Sequence, residues 1–147
     1  MNIDAVWWHE GVLDLEKNIR EMESQLQVLE QDGIDYTYFV NDFLSKRVEH
    51  LYLRYYRQRS KTGRKMMRME WRNYSVPKNH PNPLDGFEAV KDVYKRCKAN
   101  ESLCRFIKNA EINRSQFNLK YQQLHYLLRS YNAMNEAIDK ANTLNDQ

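Results

Sequence analysis

The sequence predicts an all-α fold: a helical bundle with a long antiparallel, coiled-coil-like N-terminal helical hairpin and a long C-terminal helix. Three observations predict it. Apolar residues recur at heptad spacing near both ends of the chain. Only four Gly and three Pro occur in 147 residues, whereas folds with many strands need many turns and draw on both residues. Helix stop and cap signals also fall where the periodic segments begin and end.

The first helix rests on Ala5, Trp8, Val12, Leu15, Ile19, Met22, Leu26 and Leu29, which alternate three and four apart. That is an a/d seam, an apolar stripe that faces a partner helix. Gly33 is the expected C-terminal stop, and Asp35 is the expected cap of a second helix carrying Tyr36, Val40, Leu44, Val48, Leu51 and Tyr55. The link over 33–35 is short, so the two helices are expected to pair antiparallel. Helix formers Lys65, Met66, Met67, Met69 and Glu70 extend the helical expectation over Arg64 to Tyr74.

Pro77, Pro81 and Pro83 then exclude a helix interior from the loop over 75–86. Asp85 and Glu88 have capping-box spacing for a third helix with Phe87, Val90, Val93, Tyr94 and Cys97. Asn100 is the expected cap of a short helix through Leu103, Phe106 and Ile107. A last helix over about 115–142 repeats the heptad spacing at Leu124, Leu127, Tyr131, Met134, Ile138 and Ala141. One domain is expected over 1–147: an acidic helix and a basic helix in 1–74, the Pro-rich loop in 75–86, and the C-terminal helices in 87–147.

Charge is segregated along the chain. Residues 1–45 hold ten acids against Lys17 and Arg20, a balance of −8, while residues 46–80 hold eleven Lys or Arg against Glu49 and Glu70, a balance of +9. Asymmetry of this kind is informative about partners. Within the basic segment Arg47, His50, Arg54, Arg57, Lys61, Arg64, Arg68 and Arg72 follow one another three or four residues apart, and they form one strip if the second helix runs through Gly63 instead of stopping near 60–63. Arg59 and Lys65 widen it, and Lys78 extends it into the loop. Like charges at i, i+4 repel, so the arrangement gains from a polyanion. Phosphates fit, because neutralising them releases condensed counterions. Arg also forks onto phosphates and guanine edges. Tyr52, Tyr55, Tyr56, Trp71 and Tyr74 are interleaved with these cations, and Trp71 and Tyr74 are the ones expected to stack on exposed bases.

Other readings compete for the same residues. A charge run is often a solvated face, and aromatics at regular spacing are often core. An anionic membrane surface fits less well, because the apolar side carries Tyr instead of a Leu/Phe face.

Several chemistries have no signature. His9, His50, His80 and His125 are scattered, and Cys97 and Cys104 lie seven apart, so no zinc pattern forms and free thiols are expected. There is no GxxxxGK[ST] and no GxGxxG. No enzyme activity, metal or cofactor is expected. Met1 to Glu10 has no basic run ahead of an apolar stretch, so a secretory leader is not expected and the expected location is the cytoplasm.

The expected function is that of a non-enzymatic accessory protein that binds nucleic acid, DNA ahead of RNA, in replication, DNA transfer or mobile-element processing. Its partners would be DNA or RNA, with a homodimer or protein partner through the heptad seams and no membrane. The alternative is a helical interaction module (adaptor, chaperone or inhibitor) that uses the seams and contacts no nucleic acid.

Overall fold

The computed structural model describes residues 5–59, 65–73 and 85–146, with side chains described over 14–59, 65–73 and 85–144. Its element order is α1 (Ala5–Ser45), β1 (Leu51–Arg59), β2 (Lys65–Asn73), α2 (Phe87–Arg96) and α3 (Glu101–Asn142), followed by a 3-10 turn over Thr143–Asp146. The protein is therefore mixed α/β and not all-α. The expected antiparallel hairpin of two N-terminal helices is replaced by a single 41-residue helix followed by a β-hairpin.

The chain divides into two compact units, Met1–Leu29 with Gln122–Gln147, and Glu30–Tyr121. Both long helices contribute residues to each unit. In the first unit Leu15 and Leu26 of the predicted seam are buried. In its α3 segment Leu127 and Met134 are exposed, while Leu124, Tyr131 and Ile138 are half-buried.

The second unit holds the sheet. Gly33 does not stop α1, because its missing side chain serves packing. A Cβ there would lie 2.8 Å from the Phe117 ring and 2.9 Å from the Tyr55 ring. The helix continues through Asp35, so that residue starts no new helix. It ends in a turn in which the Arg47 and Val48 N–H groups both donate to the Leu44 carbonyl. His50 then takes φ 70° at the entry to β1, a left-handed conformation that redirects the chain.

β1 and β2 pair antiparallel from Leu51↔Asn73 to Arg59↔Lys65. Side chains alternate across a strand, and cross-strand partners share a face. One face therefore carries Leu51, Leu53, Met69, Trp71 and Asn73, all buried. They join Val40 and Leu44 of α1, Ala89, Val90 and Val93 of α2, and Leu103, Ile107 and Ala110 of α3 in the core of the unit. Lys65–Asn73, within the 64–74 segment expected to be helical from its Lys, Met and Glu content, forms a strand because its alternate members Met69, Trp71 and Asn73 fill this core.

A two-stranded sheet leaves two edges with unpaired backbone groups. Here each edge is met by an asparagine. Asn41 of α1 accepts from the Leu53 N–H at 2.7 Å and donates to the Leu53 carbonyl at 2.8 Å. Asn118 of α3 does the same for Met69, at 2.9 Å in both directions. The Trp71 carbonyl accepts from the Gly86 N–H at 2.9 Å.

α2 begins after Gly86 without a side-chain cap. Asp85 is engaged with Arg72 instead, in a backbone bridge and a 3.7 Å ion pair. Asn100 caps α3, accepting from the Leu103 N–H at 3.1 Å. The helix it starts does not end near 107 but runs on to Asn142, with no Gly or Pro to interrupt it. The expected loop over 75–86 lies outside the described residues as far as 84. Cys97 and Cys104 are free thiols.

Two outcomes test this packing. Gly33→Ala is expected to destabilise the protein by about 1–3 kcal/mol through overpacking, although the same change in an exposed helix gains up to about 1 kcal/mol. Urea unfolding of the variant decides the sign. Asn118→Ala leaves the Met69 N–H unsatisfied and its carbonyl with only the 3.3 Å bond from Arg114, and is expected to cost about 1–3 kcal/mol if the N–H stays dry. A midpoint equal to that of the wild type would show that the contact contributes nothing.

Candidate nucleic-acid interface

The predicted basic strip is redistributed by the hairpin. Helical spacing does not place its members on one line, because strand alternation sorts them between two faces. Arg54, Arg68 and Arg72 lie on the face opposite the core, with Tyr52, Tyr56 and Glu70. Arg57, Arg59 and Lys65 continue the core-side face beyond its buried part.

These cations differ in what already holds them. Arg72 has only 15% of its side chain exposed, and pairs with Asp85. The Arg54 guanidinium sits 4.4 Å over the Tyr56 ring, and Tyr56 donates to the Glu70 carboxylate at 2.8 Å. Burial, reinforced by Glu70, holds the Tyr56 hydroxyl above its ordinary pKa. Arg57, Arg59, Lys65 and Arg68 are exposed and form no ion pair with a described residue. Two of them, Arg59 and Lys65, are cross-strand partners at the end of the ladder, and like charges directly opposite destabilise a strand pair.

The other predicted contacts lie elsewhere. Arg47 follows α1, with its guanidinium 3.8 Å from the centre of the Phe43 ring and donating to the Phe43 carbonyl at 2.9 Å. Phe43 in turn stacks on Phe106 at 3.8 Å. Trp71 was expected to be available for base stacking, but it is fully buried and cannot reach a base. Its indole N–H donates to the Glu111 carboxylate at 2.6 Å. Lys61, Arg64, Tyr74 and Lys78 lie outside the described residues.

The root of the hairpin is held by groups that the charge pattern did not point to. Glu111 receives two hydrogen bonds from Arg114, each 2.8 Å, besides the one from Trp71. Burial alone would raise the Glu111 pKa, but the donors of Arg114 and Trp71 outweigh it and hold the carboxyl below its ordinary value. Arg114 also donates to the Met69 carbonyl at 3.3 Å. On the other strand Tyr55 donates to the Glu30 backbone carbonyl at 2.9 Å, and Tyr121 donates to the Glu30 carboxylate at 2.8 Å. Burial and the Glu30 charge push the Tyr121 hydroxyl up to about 12.

Among the described residues no group of three or more His, Cys, Asp or Glu is placed to hold a metal ion, and no helix is long and apolar enough to cross a membrane. No family model, curated protein or solved structure matches this chain.

The Glu111 network makes a signed pH prediction. Its folded pKa lies below the ordinary 4.5, so the stability it adds is present above that value and is lost as pH falls through the folded pKa. Glu111→Gln keeps the shape and removes the charge. Wild type is expected to be the more stable at pH 7, with the gap closing below pH 4.5 in denaturant melts. A gap independent of pH would contradict the assignment.

Proposed function

We propose that the chain is a non-enzymatic accessory protein that binds nucleic acid with the outer end of its β-hairpin. One observation carries the reading. Arg57, Arg59, Lys65 and Arg68 lie toward the unburied end of a ladder whose other end is locked into the core, Arg59 directly opposite Lys65, and none of the four forms an ion pair with a described residue. Like-charge crowding of this kind costs stability in the free protein, and phosphate neutralisation reverses that cost.

The arrangement favours duplex DNA over RNA. A two-stranded ribbon fits the B-form major groove, about 12 Å wide, and β-ribbon readers use strands in this way. The major groove of A-form RNA is too deep and narrow for side chains to read. Arg57 and Arg68 belong to opposite faces of the ribbon, so one ribbon presents cations toward both walls of a groove. Replication, DNA transfer or mobile-element processing are settings in which such a protein would act.

The helical interaction reading keeps one supporting observation. Ile34 and Tyr38 lie four apart on α1 and are 51% and 76% exposed. A partner helix would cover them.

Fluorescence anisotropy with labelled duplex DNA tests the proposal. The quadruple variant Arg57→Glu, Arg59→Glu, Lys65→Glu and Arg68→Glu is expected to abolish binding at physiological salt. Neutral replacements by Gln are expected to flatten the log–log salt slope by about 3–4 units, near 0.9 per phosphate contact. Arg129→Glu with Lys140→Glu serves as a charge control. Equal loss in the control, or unchanged binding in the quadruple variant, would sink the proposal.

A further inference from the structure

A second basic feature lies away from the hairpin end. α2 and the first turns of α3 enclose a groove of about 480 Å³, within the roughly 300–1,000 Å³ of small-molecule sites. Its floor is Val90 and Ile107, both buried, and its walls are Phe87, Tyr94 and Ile112. Phe87 is 60% exposed and Ile112 45%, so these walls keep apolar surface in water.

The rim is cationic. Lys91, Lys95 and Lys98 come from α2 and the turn after it, and Lys108 comes from α3. None of the four forms an ion pair with a described residue, whereas the neighbouring Arg96 is paired with Asp92 at 2.8 Å. The acid on the groove wall, Glu111, is already occupied by Arg114 and Trp71. A second, more polar depression adjoins the first and shares Tyr94, Lys98 and Lys108 with it, adding Arg105 and Glu101. Lys98 and Lys108 therefore stand at the junction, with apolar surface on one side and Arg105 with Glu101 on the other.

We infer that this groove binds a single-chain amphiphilic anion, a carboxylate on an alkyl body. The alkyl chain covers Phe87, Val90, Ile107 and Ile112, and the carboxylate lies between Lys98 and Lys108. Charge complementarity selects an anion, and an apolar floor with charged groups at its rim suits a ligand with an apolar body and a charged head. The site shares no residue with the hairpin end, so it stands or falls independently of nucleic-acid binding.

Isothermal titration of the whole chain with dodecanoate, below its micelle-forming concentration, tests this. One saturable site is expected. Dodecylammonium, with the same tail and the opposite head, is expected not to bind. Lys98→Glu with Lys108→Glu is expected to weaken dodecanoate by about tenfold or more. Ile112→Asp, at an exposed position, is expected to do the same without loss of helical circular dichroism. The hairpin charge-reversal variant is expected to bind dodecanoate like wild type. No dodecanoate binding, equal binding of both amphiphiles, or binding only to phosphatidylglycerol vesicles would each overturn the inference.

Discussion

Two asparagine amides make the hairpin possible as a built structure. A two-stranded ribbon in water is marginal, and each of its edges exposes a row of backbone donors and acceptors. Asn41 and Asn118 answer this from opposite sides, each closing a two-bond ring with a strand residue, Leu53 and Met69 respectively. A carboxylate in either place would lack the donor, and an aliphatic residue would leave the strand N–H without its acceptor. Because the asparagines belong to α1 and α3, the clamp also ties each strand to one long helix.

Further contacts reinforce the same fastening. Gly33 lets the Tyr55 and Phe117 rings approach α1, and those rings meet edge to face at 5.7 Å. Tyr55 and Tyr121 both find their acceptors on Glu30. On the other side Trp71 fills the core and anchors its N–H on Glu111. Apart from Tyr121, which also meets the Met67 backbone, these act on the proximal part of the ladder. Toward Arg59 and Lys65 the same sheet face carries cations instead of core residues. The hairpin is thus anchored at one end and charged at the other.

Much of the helical content was legible. Leu15 and Leu26 of the first seam are buried as its periodicity required, and Asn100 caps as its position implied. The basic segment misled because its charges recur three and four apart while its apolar residues at 51, 53 and 55 alternate by two. Both periods are present in Leu51–Arg59, and packing chose between them. Met66, Met67 and Glu70 favour a helix by propensity, but tertiary context routinely overrides propensity. Gly33 looked like a stop because glycine commonly ends helices, and only the Phe117 and Tyr55 rings reveal its real use. The clamps left no signal in the sequence, since a single Asn in a helix is unremarkable until a strand edge faces it. The cationic residues proposed for the interface were chosen from charge alone. Sequence spacing did not divide them between two faces or show that Trp71 is core.

Side chains of the two long helices clamp both edges of the hairpin. Amide hydrogen exchange followed by NMR reads this directly at the Leu53 and Met69 N–H groups, which donate to side chains instead of to the ladder. Exchange governed by global unfolding yields protection close to the full stability of the unit, whereas local fraying yields little. The structure predicts that both amides are protected to the level of buried helical amides such as that of Ile107. Exchange at the rate of free edge amides would contradict the clamps, and with them the account of an anchored hairpin presenting a basic end.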